Sequence, residues 1–186
     1  MKKTAVTFCA IVALVAQCHA IEDDEGMQPA PPPCGWYRAR EWSIDLWGAS
    51  ASAEGHQAWG GGADIKYFWS RYLGLGIEGF FLNARDTAGA ALGTLTARYP
   101  VGCSHFAPYA FAGVGVLAGG SDTERFFRDE QARVIGQLGG GMEFRLTPSS
   151  AMGKVTVGLM ADFSGNFVGG GGQDFGMTRL GLIISY

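Results

Sequence analysis

Few residues of this chain could support nucleophilic catalysis. Beyond residue 20 there are two histidines, His56 and His105, and Ser104 stands immediately before the second. A serine nucleophile needs a base held within hydrogen-bonding reach, and neighbouring positions in a turn do not by themselves provide that arrangement. We therefore predict that the protein is not an enzyme and that it uses no cofactor or metal ion. A lipid-modifying activity stays open as the enzymatic alternative.

Charged residues occupy alternate positions of several segments whose other positions are apolar. Glu143, for example, lies between Met142 and Phe144. Successive side chains of a β-strand point to opposite faces, so this alternation predicts strands with one apolar and one charged face. The charged face collects five acidic and five basic side chains: Asp45, Asp64, Glu78, Glu143, Asp162, Lys66, Arg98, Arg133, Arg145 and Arg179. Equal numbers of the two signs predict a paired network rather than a path for ions of one charge.

Eight segments with this alternation are separated by clusters of turn residues. Each is close to the roughly 9–11 residues that a tilted transmembrane strand needs, and no stretch keeps a helical period. The predicted strands are 41–53, 58–69, 73–82, 90–99, 106–118, 132–146, 154–163 and 176–186. The sixth is the longest and is expected to project beyond a bilayer.

Two features favour a membrane barrel over a soluble β-sandwich. The connections 70–72, 100–105 and 147–153 are compact, whereas 119–131 and 164–175 are longer and polar or glycine-rich. Outer-membrane barrels show the same asymmetry, with short periplasmic turns and long extracellular loops.

The second feature is the position of the aromatic residues. Nine of them fall at the strand ends of the periplasmic side: Trp36, Tyr37, Trp42, Trp69, Tyr72, Tyr99, Phe106, Phe144 and Tyr186. Trp59 and Phe175 are candidates for the opposite rim, with Phe126 and Phe127. A spanning sheet must also pair all its backbone groups and so have no edges. The sequence therefore predicts an all-β fold, an eight-stranded antiparallel up-and-down transmembrane β-barrel.

The N-terminus has the pattern of an export signal. Two lysines precede an apolar stretch of about twelve residues, and Cys18-His19-Ala20 offers small residues at a cleavage site. We predict a signal peptide over 1–20, an acidic and proline-rich linker over 21–35, and the barrel over 36–186. The expected location is the outer membrane of a Gram-negative cell.

The predicted mature chain keeps two cysteines, Cys34 and Cys103. Both are expected at the periplasmic end of the barrel, where oxidising conditions favour a disulfide. The pair could staple the linker beneath the barrel. The alternative, two thiols that are free or paired elsewhere, stays open.

The last strand carries the most specific motif. It has a polar Arg179, then Gly181, then Ile184 and a terminal aromatic, Tyr186. This spacing resembles the insertion signal of bacterial outer-membrane proteins. The resemblance implies recognition by the outer-membrane assembly machinery.

The whole barrel region resembles the OmpA/OmpX-like group of small eight-stranded outer-membrane barrels. Pro108-Tyr109 followed by Gly113-Val114-Gly115, and the segment 139–146, are similar to recurrent strand patterns of that group. The resemblance implies a monomeric barrel in contact with outer-membrane lipid. The formal net charge is −3 with no basic patch, so a nucleic-acid partner is not expected.

An eight-stranded barrel is just wide enough for its own side chains. We therefore predict a polar, side-chain-filled interior and a structural or surface-interaction role. Glu143 is expected to pair with one basic residue across the barrel, for which Arg133, Arg179 or Lys66 could serve. The alternative is a narrow porin-like channel for small solutes or ions.

Overall fold

The structure, a computed structural model, describes residues 35–53, 56–83, 87–119, 132–147, 155–170 and 173–186. The predicted signal peptide and all but the last residue of the predicted linker lie outside the described residues, so this division of the chain stays a prediction. In the part of the chain that the structure describes, no helix is long and apolar enough to cross a membrane.

Eight antiparallel strands form a closed barrel in which each strand pairs with its neighbours in sequence and β8 pairs with β1. The strands are β1 Glu41–Ala53, β2 His56–Phe68, β3 Leu73–Asn83, β4 Thr87–Arg98, β5 Phe106–Gly119, β6 Arg133–Arg145, β7 Thr156–Val168 and β8 Phe175–Ser185. The predicted fold class is confirmed.

The outer surface of the barrel is apolar because the period of two places the large hydrophobic residues outside. Ile77 is 72% exposed, Leu180 66% and Val134 62%, values that are unusual for such residues in a soluble domain. Their immediate neighbours in each strand point into the lumen. The apolar outer face matches the lipid-facing band of a membrane barrel.

Two strand predictions were wrong in length. β7 continues to Val168, so the first part of the predicted loop 164–175 is strand. The alternation goes on through this part, with Ser164 and Asn166 inward and Phe167 outward; the intervening Gly165 and the polar residues had indicated a turn. β6 has 13 residues, the same as β1, and does not extend beyond the other strands.

We call the end of the barrel that holds Glu41 and Ser185 the terminal end, and the opposite end the loop end. The predicted aromatic residues gather at the terminal end, where the rings of Trp42 and Tyr67 lie 5.0 Å apart. At the loop end Trp59 is exposed, but Phe175 is buried inside the barrel and does not belong to an outer rim.

Candidate functional site in the barrel lumen

The charged residues predicted to face inward lie in the lumen, and nine of the ten are buried. The exception is Arg133, which is half-buried at the loop end, where β6 begins. Together with Glu41, which is also buried, the other nine form two groups along the barrel axis. The terminal network consists of Glu41, Arg98, Glu143 and Arg145, and the central network consists of Asp45, Asp64, Lys66, Glu78, Asp162 and Arg179.

Glu41 is the centre of the terminal network. Its Oε1 accepts hydrogen bonds from Arg98 Nη1 at 2.9 Å and from Arg145 Nη2 at 2.7 Å. Glu143 accepts a hydrogen bond from Arg145 Nε and lies 3.7 Å from Arg98 Nη1. Two carboxylates therefore face two guanidinium groups.

The expected partners of Glu143 were wrong. Instead of Lys66, Arg133 or Arg179, the residue that hydrogen-bonds Glu143 is Arg145, two positions further along the same strand. Residues two apart point to the same face, and the long arginine side chain can reach back along it.

Tyr37 covers the terminal network at the terminal end of the barrel. Its hydroxyl donates to the carbonyl oxygens of His105 at 3.0 Å and Glu143 at 3.3 Å. The guanidinium carbons of Arg98 and Arg145 lie 5.1 and 4.9 Å from its ring centroid, which is cation–π distance. Burial raises the pKa of the Tyr37 hydroxyl, so the side chain stays a neutral donor. Tyr37 therefore packs against the terminal network inside the barrel, and its predicted place among the aromatic residues of the outer surface was wrong.

Arg179 organises one half of the central network. It donates to Asp162 through Nε at 2.6 Å and Nη2 at 3.0 Å, and to Glu78 through Nη1 at 2.7 Å. Its guanidinium group lies 4.9 Å from the Trp47 ring and 4.5 Å from the Phe111 ring. This clamp joins β3, β7 and β8 across the lumen.

Lys66 organises the other half. Its Nζ donates to Asp45 Oδ2 at 2.7 Å and lies 3.1 Å from Asp64 Oδ2. Ser43 also donates to Asp45, at 2.6 Å. Asp45 is thus well paired, whereas within the described part of the chain Asp64 has one ion pair, with Lys66, and neither of its carboxyl oxygens takes part in a hydrogen bond.

The loop half of the lumen is filled mainly by apolar side chains, which we call the apolar layer, and Ser164 and Asn166 are buried polar side chains at the same level. The apolar layer includes Ala49, Ala51, Ala53, Ala58, Phe80, Leu82, Ala88, Ala90, Leu92, Leu117, Ile135, Val168, Phe175 and Met177. The interior is therefore polar mainly in its terminal half, and the expectation of a polar interior throughout was too broad.

Inward glycines make room for the largest lumen side chains. A methyl group on Gly62 would lie 2.6 Å from the indole of Trp47, and one on Gly139 would lie 2.8 Å from Cε1 of Phe111 and even closer to its Cζ. Such distances are far inside van der Waals contact. The glycines and the aromatic rings together fill the width of the barrel.

The lumen residues that were missed from the sequence include Glu41, Trp47 and Tyr109. Glu41 and Trp47 have the same parity as Asp45 in β1, so the alternation could have identified both. The alternation along β5 could have placed Tyr109 in the lumen. The sequence does not show that its hydroxyl donates to the carboxylate of Asp162 on β7.

The catalytic candidates are not brought together. His56 is exposed at the loop end, where β2 begins, and Ser104 and His105 lie in the turn between β4 and β5 at the terminal end. The Ser104 hydroxyl donates to the Phe106 carbonyl oxygen, and the His105 ring packs 4.3 Å from the Phe144 ring. Among the described residues, no three His, Cys, Asp or Glu side chains are grouped to hold a metal ion.

Cys103 is disulfide-bonded. It is exposed in the turn between β4 and β5, and its partner lies outside the described residues. Pairing with Cys34 therefore stays a prediction.

Tyr186 closes the barrel at the terminal end. Its N–H donates to the Trp42 carbonyl oxygen at 2.9 Å, and its own carbonyl accepts from Trp42 N–H at 3.0 Å. The ring is exposed on the outer surface, on the same face as Ile184, whereas Arg179 and Gly181 point inward. These backbone bonds and this ring can be tested separately.

If the assembly machinery recognises the terminal aromatic side chain, Tyr186→Ala should reduce the amount of folded barrel in cells. The backbone hydrogen bonds to Trp42 can still form in this variant. Deletion of Tyr186 should reduce the folded amount further, because the bonds are lost as well. The measurement is the gel shift between heated and unheated samples. Wild-type yield for Tyr186→Ala, with a defect only on deletion, would show that barrel closure matters and the aromatic signal does not.

Comparison with solved structures identifies small outer-membrane barrels. The N-terminal β-barrel domain of Pseudomonas aeruginosa OprF is 15% identical with a TM-score of 0.62, over 80% of this chain and 99% of that one. Neisserial surface protein A is 14% identical with a TM-score of 0.57, over 78% and 94%. Ail, the attachment invasion locus protein of Yersinia pestis, is 13% identical with a TM-score of 0.55, over 80% and 99%.

No protein-family model and no curated protein matches the sequence. The likeness to the solved structures shows the fold, the eight-stranded transmembrane β-barrel of small outer-membrane proteins. It agrees in fold with the resemblance noted in the sequence.

Proposed function

We propose that the chain is a non-enzymatic integral outer-membrane protein of structural or surface-interaction type, with a lumen closed to solutes. In this proposal the signal peptide directs export, the assembly machinery inserts the barrel, and the monomer sits in outer-membrane lipid. The terminal end faces the periplasm, and the connections at the loop end face outward.

The observation that supports the proposal is that two different groups of buried side chains, the terminal network and the apolar layer, lie in series along the lumen. The terminal network fills the lumen at the terminal end, where the Tyr37 ring packs against Arg98 and Arg145. The apolar layer fills the other half, where residues such as Leu82, Ile135 and Met177 are almost fully buried. An ion would have to break buried ion pairs and then cross a section that offers it few ligands, and both steps are unfavourable.

A narrow channel is the second candidate, and the charged terminal half of the lumen favours it. The two candidates differ in what seals the barrel. A channel would need the apolar layer to open or to be bypassed by water, as in pores that gate by dewetting.

Conductance in planar bilayers separates the two candidates. We expect no discrete current steps from the wild-type protein. Tyr37→Ala, which removes the side chain packed against the terminal network but leaves the apolar layer intact, should also be silent. Insertion is verified by the heat-dependent gel shift of the same preparation.

Discrete steps from the wild-type protein would contradict the closed lumen. Steps that appear only in Tyr37→Ala would mean that the apolar layer is not a seal and that the Tyr37 side chain acts as a gate, which would favour the channel.

A further inference from the structure

The central network contains more acidic than basic groups. Four buried carboxyl groups, of Asp45, Asp64, Glu78 and Asp162, face two buried cations, Lys66 and Arg179. Ionisation of all six would leave two uncompensated negative charges inside a barrel surrounded by lipid. Buried charges that lack partners are strongly unfavourable. Full ionisation of the central network would therefore destabilise the barrel.

Three of the four carboxyl groups are neighbours in the sheet. Asp64 on β2 is directly opposite Asp45 on β1 and directly opposite Glu78 on β3. Adjacent strands are about 4.8 Å apart, and like charges directly across a strand pair are destabilising. A negative charge on Asp64, which lies between the other two, would therefore be repelled by both of them.

The donors of the network are distributed unevenly among the carboxyl groups. Asp45 receives Lys66 and Ser43, Glu78 receives Arg179 and Gln137, and Asp162 receives Arg179 and Tyr109. Asp64 receives no hydrogen bond, although both of its oxygens are buried. An ionised carboxylate offers about four acceptor sites, and Asp64 uses none of them for a hydrogen bond.

Among the residues that the structure describes, the remaining elements around the central network do not supply a further cation at this level. β4 contributes the hydroxyls of Thr94 and Thr96, and β6 contributes Gln137, with Arg133 located at the loop end of that strand. Across the lumen, the charged groups facing Lys66 and Asp64 are Arg179 and Asp162, which already pair with each other.

We propose that Asp64 is a neutral carboxylic acid in the folded barrel and shares its proton with the adjacent carboxylate of Asp45, which makes this pair a proton-binding site in the lumen. One bound proton halves the surplus negative charge, turns Asp64 from an acceptor without partners into a donor, and leaves Lys66 paired with Asp45. The site couples the stability of the barrel to the pH around it.

The sign of the coupling follows from proton uptake on folding. An aspartate in the unfolded chain has lost its proton well below neutral pH, whereas the folded barrel holds one. The folded state then binds more protons, so stability falls as pH rises. Each pH unit changes the unfolding equilibrium by up to about tenfold per proton.

The test uses urea unfolding of the full barrel in lipid vesicles over a series of pH values above about 3.9, the ordinary pKa of an aspartate in an unfolded chain. Asp64→Asn mimics the neutral acid and should keep or raise the midpoint at high pH, with a weaker pH dependence than the wild type. Asp162→Asn is the matched control. It removes a carboxylate that holds Arg179 with two hydrogen bonds and should lower the midpoint at every pH.

A second measurement does not depend on unfolding. The infrared difference between wild type and Asp64→Asn should contain the carbonyl band of a protonated carboxyl group at neutral pH. A carboxylate band in its place would overturn the proposal. So would an Asp64→Asn variant that loses as much stability as Asp162→Asn and keeps the wild-type pH dependence.

Discussion

Replacement of Glu41 by glutamine is expected to destabilise the barrel by about 3–5 kcal/mol, the effect of removing one partner from a buried ion-pair network. Glu41 is almost completely buried, and its Oε1 receives one hydrogen bond from each of two arginines. Glutamine keeps the size but not the charge. Arg98 and Arg145 would then share the single carboxylate of Glu143, and both guanidinium groups are buried.

The measurement is the urea midpoint of the folded barrel in lipid vesicles. Asp174→Asn is the control, because Asp174 is exposed and the amide keeps the oxygen that accepts the Val168 N–H; its midpoint should stay near that of the wild type. A double-mutant cycle with Arg145→Gln should give less than the sum of the single effects. An unchanged midpoint for Glu41→Gln would mean that the terminal network does not stabilise the barrel.

The second large effect is expected from a single methyl group at Gly141. The added carbon would lie 2.7 Å from the Asp162 Cα and even closer to the Asp162 Cβ and the Ala161 carbonyl oxygen. Backbone atoms cannot move aside as the end of a flexible side chain can. Overpacking of this kind typically costs about 1–3 kcal/mol, and displacement of Asp162 would weaken its clamp on Arg179 as well. Gly141→Ala should therefore lower both the folded yield and the urea midpoint.

Gly136 provides the matched control in the same strand. It faces outward, and a methyl group there would meet nothing within 4 Å. Gly136→Ala should fold as the wild type does and show the same heat-dependent gel shift. Equal behaviour of the two variants would mean that β6 and β7 are not packed as closely as the structure has them.

The sequence determined the strands and their faces, because this information is local. In β1, Trp42 and Leu46 point outward while Asp45 points inward, and the period of two is visible without knowing any partner. The same period of two continues through Asn166 in β7. The predicted end of this strand was wrong because it was placed at the first polar and glycine residues, which are typical of turns. Long glycine-rich connections and the terminal aromatic then indicated a membrane barrel.

The sequence could not determine the level at which each inward side chain sits. Glu41 meets Arg98 and Arg145, which are 57 and 104 positions away along the chain. Parity assigns all three to the lumen, but only the register between strands and the closure of β8 on β1 bring them to the same height. The wrong partners expected for Glu143 have the same origin.

The tertiary structure also decided how the lumen is divided. Alanine and leucine at inward positions of β1 and β4 form an apolar layer only because those positions converge in the loop half of the barrel. Tyr37 lies before the first strand, where no alternation indicates a direction, and it turns inward because two arginines and two backbone carbonyls are assembled there to receive it. Strand direction follows from a local period of two, whereas the pairing of charges across the lumen and the apolar layer depend on the register and closure of the whole sheet.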